Sequence, residues 1–190
     1  PIVAIIDTGI NLTHPDLINQ IWVNANEIPN NLIDDDQNGY IDDYYGWDFY
    51  NNLPSPEDDN NHGTHIAGII AAETDNNIGI AGLTQHTKLM ALKAANQYGQ
   101  LTSLSVAQAI DYAINHNAAI INLSFGAKKS VVPNEYLIES IIQKSVAANQ
   151  HVVAAAGNQA LNIDSSSYIP ATYDNVIAVS SSDNENNFVD

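Results

Sequence analysis

Five short runs in this 190-residue sequence are apolar without alternating with polar residues: Ile2–Ile6, Leu89–Leu92, Ala118–Leu123, Val152–Ala155 and Val176–Val179. A strand that is apolar on both faces has to be covered on both faces, which is the signature of a parallel sheet held between helical layers. The intervening segments supply those layers. His62–Glu73, Leu104–His116 and Glu135–Asn149 read as helices; the second places Val106, Ile110, Ala113 and Ile114 at helical spacing behind a Thr102 or Ser103 cap. The third repeats the spacing through Leu137, Ile138, Ile141, Ile142 and Val146. Alternating strands and helices predict an α/β fold, a parallel β-sheet with helices on both faces. With 45% hydrophobic residues at this length, a real core is expected.

Residues 19–61 break the alternation. They are rich in Asn, Asp, Pro and aromatics and read as one long ordered loop, and loops of that length are functional or held by something. Charge is also uneven. The chain has 22 Asp and Glu against five Lys and no Arg, for a formal charge of -17, and ten of the acids lie between Glu27 and Asp59. Residues 1–87 hold 14 acids and no Lys or Arg. Acidic runs are ordinarily solvated faces, but at this density without counter-charge a bound cation becomes a candidate. The same balance argues against nucleic acid and against an anionic membrane surface, both of which require clustered cations. Zero cysteines exclude disulfides, thiol catalysis and thiolate zinc sites. No stretch approaches the ~18 apolar residues of a spanning helix. Pro1 runs straight into an apolar strand without a basic leader, as in a piece excised from something longer.

Three segments carry chemistry. Asp7, followed by Thr8-Gly9, ends the first strand, and ligands of parallel α/β sheets bind at strand carboxyl ends; a turn-capping Asp is the plain alternative. His62-Gly63-Thr64-His65-Ile66-Ala67-Gly68 opens a helix with small residues beneath it, which suits a general base under a closely packed backbone. A His62/His65 metal pair fits less well, because zinc helices space their ligands i,i+4 and need a third ligand. Ala154-Ala155-Ala156-Gly157-Asn158 leaves room at a strand end, with a side-chain amide able to donate to an oxyanion or simply to make a tight turn.

Taken together, Val3–Gly9, His62–Gly68 and Ala155–Asn158 resemble the Asp, His and oxyanion-Asn motifs of the subtilisin-like serine proteases, in the same order and across almost the whole chain. The resemblance implies that Asp7 orients His62, that His62 serves as general base and then acid, and that Asn158 donates to the tetrahedral oxyanion. It further implies that Ser124, Phe125 and Gly126 form a substrate-binding strand, with Gly99–Leu101 as the opposite clamp through Gly99 and Leu101. Ala127 stands where the family has a second Gly. Ala155, Ala156 and Gly157 are implied to line one wall of the primary side-chain pocket. The family's nucleophile lies in a Gly-Thr-Ser segment, and no Gly-Thr-Ser occurs here; Ser124, Ser165–Ser167 and Ser180–Ser182 lack its setting. The expectation is therefore a partial peptidase domain over residues 1–190, inactive by itself, whose Ser lies beyond the chain. The alternative is a calcium-stabilised peptide-binding remnant, disfavoured because Asp7, His62 and Asn158 are all kept. A pure calcium-binding adhesion module leaves those three unexplained.

Calcium is expected independently. Asp34-Asp35-Asp36-Gln37-Asn38-Gly39-Tyr40 contains D-x-D-x-N-G, the opening of an EF-hand-type loop with Asp34, Asp36, Asn38 and Tyr40 as ligand positions. Tyr45 stands at the twelfth position, so Asp42 or Asp43 is expected to close the site inside the 19–61 insertion. By resemblance, Asp16 and the loop Thr74–Ile80 form a second site, with side chains of Asp16 and Asn76 and carbonyls of Ile78, Ile80 and Thr74 or Glu73. Pro170–Tyr173 resembles a third, weaker one. The resemblance and the calcium loops imply polypeptide substrates and a secreted or extracytoplasmic setting. A partial domain is also expected to expose apolar surface through which it could dimerise.

Overall fold

The computed structural model describes residues 1–159, 162–185 and 187. In chain order the elements are β1 Ile2–Asp7, β2 Gly46–Asp48, α1 His62–Ala71, β3 Lys88–Lys93, α2 Ser103–Asn115, β4 Ile120–Leu123, β5 Ala127–Lys128, α3 Tyr136–Ala147, β6 His151–Ala155, α4 Ile163–Ser166, β7 Tyr168–Ile169 and β8 Val176–Val179. Six strands form one sheet in the order β2-β3-β1-β4-β6-β8, every pairing parallel, while β5 and β7 make a small antiparallel pair. This is the expected α/β architecture. Three strands are missing from the sequence reading: β2, three residues inside the 19–61 excursion that pair with the edge of β3, and the two-residue β5 and β7.

Alternation along β1 explains its unbroken apolar run. Val3 and Ile5 face α1 and share a core with Ile10, Leu17, Ala67, Ala71, Leu89 and Ala91. Ala4 and Ile6 face the other way, into a core with Met90, Leu92, Val106, Ile110, Ile121, Leu123, Ile142 and Val152 from the sheet, α2 and α3. Burying each large aliphatic side chain contributes about 1.5–3 kcal/mol, so both layers are needed to keep β1 central. The far edge differs from expectation: in β8, Ile177 and Val179 are 51% and 52% exposed.

Helix ends follow local chemistry. Thr102 caps α2 through a capping box, its hydroxyl accepting from the Ser105 N–H while the Ser105 hydroxyl accepts from the Thr102 N–H. Asn117 and Asn149, just past α2 and α3, take the left-handed conformation that stops a helix. Eight of the thirteen described non-glycine residues with positive φ are Asn, which accounts for part of the chain's Asn bias. Among the described residues no helix is long and apolar enough to cross a membrane.

Candidate active site

The chain order of the sheet places chemistry at one edge. After β1 the chain runs out to β2 and back to β3 on one side while β4 lies on the other, so the carboxyl ends of β1, β4 and β6 border a common crevice. Asp7 is the last residue of β1 and only 4% exposed. Its Oδ1 accepts a hydrogen bond of 2.7 Å from His62 Nδ1 and another of 2.7 Å from the Thr8 N–H. His62 is the first residue of α1, with its side chain 48% exposed. The pair thus joins a buried carboxylate to an imidazole that reaches solvent.

What brings them together is a close approach. A β-carbon built on Gly63 would stand 2.1 Å from the Gly9 carbonyl oxygen and 3.1 Å from Cβ of Asp7. Only glycine lets the start of α1 settle against the β1 turn. The Gly63 N–H donates to the Thr8 hydroxyl (3.0 Å), and that hydroxyl donates to Asp58 Oδ1 (2.8 Å). Asn61, the residue before α1, has φ 81° and makes no side-chain cap. Asp58 takes over that role: Oδ2 accepts from the Thr64 N–H and hydroxyl, Oδ1 from the N–H groups of Asn60 and Asn61. Burial pushes the Asp58 carboxyl upward, but the hydrogen bonds from Thr64, Asn60 and Asn61 together hold it below the usual carboxylate range. Lys93, 2% exposed and paired in register with Asp7, donates to the Thr8 carbonyl and to Asp59, tying both strands of the turn beneath the pair.

Two adjoining clefts run from this pair. The smaller, of about 280 Å³, is lined by Asp7, His62, Gly99, Leu101, Ser124 and Phe125 among others. The larger, of about 1010 Å³, continues past Gly99, Leu101, Ser124, Phe125 and Gly126 to Ala155, Gly157 and Asn158. Gly99–Leu101 and Ser124–Gly126 therefore border the same cleft. Ala156 does not line either cleft; its N–H is engaged with the Val179 carbonyl of β8. Asn158 is exposed at the rim.

In the 19–61 excursion, Glu27, Asp34 and Asp36 each bring a carboxylate oxygen within 4.8 Å of the others. Oxygens on opposite sides of a Ca²⁺ at 2.3–2.6 Å stand about 4.6–5.2 Å apart, so the donor set suits that ion. Glu27 is buried and accepts from the N–H groups of Asp35, Asp36 and Asp42. Burial, followed by the nearby charges of Asp43 and Asp36, pushes its carboxyl upward despite those bonds. Asp42 and Asp43, expected to close the loop, spend their carboxylates elsewhere. Asp42 accepts from the Asn31 and Leu32 N–H groups. Asp43 accepts from Asn24, Asn38 and the Tyr112 hydroxyl (2.6 Å), and burial with that charge drives Tyr112 far above its ordinary range. Tyr40 packs its ring against Trp47, Phe49 and Tyr112. Asn38 Oδ1 accepts from the Tyr40 N–H.

The second expected site is also drawn together. Asp16 is buried, its Oδ1 accepting from Asn76 Nδ2 (2.7 Å) and its Oδ2 from the Ile80 N–H (3.1 Å). Ile78 donates to Asn76 Oδ1, and the Thr74 N–H goes to Gln85. In Pro170–Tyr173 the N–H groups of Thr172 and Tyr173 bond back to Tyr168 and Pro170. Sequence reasoning missed Glu27, Asp58, Lys93 and Tyr168. Asp58 had a readable signal, an Asx residue just ahead of a helix start. Glu27 had only its lack of counter-charge.

Comparison with known proteins bears on the family and the fold. The family model described as the Subtilase family (Peptidase S8) matches residues 1–190. The chain is 38% identical over 181 residues to the thermophilic serine proteinase of Bacillus sp. (strain AK1), covering 95% of this chain and 38% of that protein. It is 35% identical over 187 residues to thermitase of Thermoactinomyces vulgaris, covering 97% of this chain and 56% of that one. The solved structure of Sphericase superposes with a TM-score of 0.75 at 28% identity, over 96% of this chain and 54% of that chain. The chain thus spans about half or less of the length of these relatives. Since a family model matches from residue 1 to residue 190, and the fold agrees with a solved relative, this chain belongs to the subtilase family.

Proposed function

We propose that this chain is the part of a serine endopeptidase domain that supplies the acid–base pair and much of the substrate cleft, with the nucleophilic Ser contributed from outside these 190 residues. The observation that carries the reading is the 2.7 Å hydrogen bond between His62 Nδ1 and buried Asp7 at the mouth of a cleft. The Asp7 carboxylate keeps the imidazole proton on Nδ1, which leaves Nε2 to accept a proton from the attacking hydroxyl. His62 then returns that proton to the leaving amine. The Asn158 amide donates to the developing oxyanion, a contribution of about 3–4 kcal/mol for such donors. An extended polypeptide lies between Gly99–Leu101 and Ser124–Gly126, main chain to main chain, with Ala155 and Gly157 beside its primary side chain and Ala156 supporting that wall.

Two Ca²⁺ ions complete the reading. Glu27, Asp34 and Asp36, with Asn38 and the Tyr40 carbonyl, would hold one; Asp16 and Asn76, with carbonyls of Thr74, Ile78 and Ile80, the other. Bound there, the ions would neutralise carboxylates and brace the excursion and the 74–80 loop rather than enter the chemistry. Such loops suit a secreted or extracytoplasmic setting. The coding sequence downstream of Asp190 tests the reading: it is expected to encode Gly-Thr-Ser at a helix start. A stop codon in its place favours a peptide-binding remnant.

A further inference from the structure

The two walls of the larger cleft, Ser124–Gly126 and Ala155–Gly157, meet at one aromatic ring. Tyr168 stands between them, 7% exposed, at the start of β7. Its hydroxyl donates to the Gly126 carbonyl at 2.7 Å. A β-carbon built on Gly126 would fall 2.4 Å from Cε1 of the ring, and one built on Gly157 would fall 2.8 Å from Cζ and 2.9 Å from Cε1. The ring is therefore in contact with the bare backbone of both walls, and each wall can approach it only because it has glycine there. Backbone pairing fixes the position: Lys128 and Ala127 pair antiparallel with Tyr168 and Ile169, and the Thr172 N–H and hydroxyl bond the Tyr168 carbonyl. Nothing in the sequence motifs points to this residue, which lies 42 positions from Gly126.

We propose that Tyr168 is a specificity-determining residue: its ring plugs the primary side-chain pocket, so the cleft takes extended peptides with Gly, Ala or Ser at that position and rejects aromatic and long side chains. The inference rests on the cleft reading given under Proposed function. A large side chain can enter only by displacing a buried ring and breaking its hydroxyl bond to Gly126. Ala and Ser end at the pocket mouth and leave the ring in place. Pocket fit of this kind discriminates by roughly 10–200-fold.

The test is an NMR titration of the ¹⁵N-labelled chain with two N-acylated pentapeptides that differ only in a C-terminal Ala or Phe, read at the amides of Ser124, Phe125 and Gly126. The unaltered chain is expected to bind the Ala peptide at least about tenfold more tightly. Tyr168→Ala is expected to bring the Phe peptide to equal or tighter binding, whereas Tyr168→Phe, which keeps the ring, retains the Ala preference. Equal affinities on the unaltered chain overturn the proposal and leave the cleft reading standing, and this arm needs no variant to fold. Both peptides binding with an unchanged ratio in folded Tyr168→Ala also overturns it. No amide shifts with either peptide, in any of the proteins, overturn the cleft reading itself and the proposal with it.

Discussion

Replacing Gly63 by Ala should separate the Asp7–His62 pair without touching either side chain. The added β-carbon would stand 2.1 Å from the Gly9 oxygen, whereas carbon–oxygen contacts settle at about 3.3–3.6 Å. The start of α1 must therefore retreat by about 1.2 Å, which stretches the 2.7 Å bond between His62 and Asp7 to about 3.9 Å, beyond hydrogen-bonding range. Overpacking of this kind costs about 1–3 kcal/mol. Loss of the Gly63 N–H bond to Thr8 adds about 0.5–1.5 kcal/mol, and the helix preference of Ala returns up to about 1 kcal/mol. The net loss centres near 2 kcal/mol, or a fall in Tm of about 4–8 °C for a chain of this size. Gly68 is the internal control in the same helix, since a β-carbon there meets only Ile80 Cδ1 at 3.8 Å. Thermal unfolding of both variants, with the downfield Nδ1 proton of His62 followed by NMR, reads the two effects together. Gly63→Ala is expected to lose both stability and that resonance, and Gly68→Ala to lose neither. A Gly63→Ala variant that melts like the parent and keeps the resonance would refute the close-approach reasoning.

Two further outcomes follow from the carboxylates. Ca²⁺ at about 100 times its Kd is expected to raise stability by about 2.7 kcal/mol, and Glu27→Gln or an Asp34/Asp36→Ala variant should lose most of the contribution from the excursion site; identical melting of parent and variants in Ca²⁺ and in EDTA counts against it. Asp58 is held below the usual carboxylate range, so its contribution is complete above its unfolded pKa of about 3.9 and disappears as pH falls through the lower folded value. Asp58→Asn, which turns one accepting oxygen into a donor, is expected to cost about 1–3 kcal/mol at pH 7, with the two stability curves converging in acid. Parallel curves down to pH 2 would show that Asp58 does not carry the helix start.

The parts of this molecule legible in sequence are those with local signatures. β1, β3, β4 and β6 announced themselves by apolar runs, and α2 by its spacing and its Thr102 cap, because each pattern lies within a dozen residues. Asp7 and His62 were each ambiguous within their own segment and became legible only through the order of Val3–Gly9, His62–Gly68 and Ala155–Asn158 along the chain. What escaped depends on distant partners. β2 is a strand only because Gly46–Asp48 meet the edge of β3. Glu27 joins Asp34 and Asp36 because the excursion folds back on itself. Asp43 is turned away from that group because Tyr112, an α2 residue 69 positions away, donates its hydroxyl to the Asp43 carboxylate. Exposure of Ile177 and Val179 is likewise a matter of what packs on β8, which an apolar run cannot tell.

Hydrolysis by the full-length gene product asks whether His62 moves protons for a peptide bond. The unaltered protein is expected to cleave an extended peptide with a small residue at the primary position, and His62→Ala to lower kcat by at least about 100-fold, since a positioned acid–base group contributes about 10²–10⁴. KM should change little, because His62 is placed at the pair and not along the clamp strands. Turnover that survives His62→Ala undiminished contradicts the assignment of Asp7 and His62 as the acid–base pair.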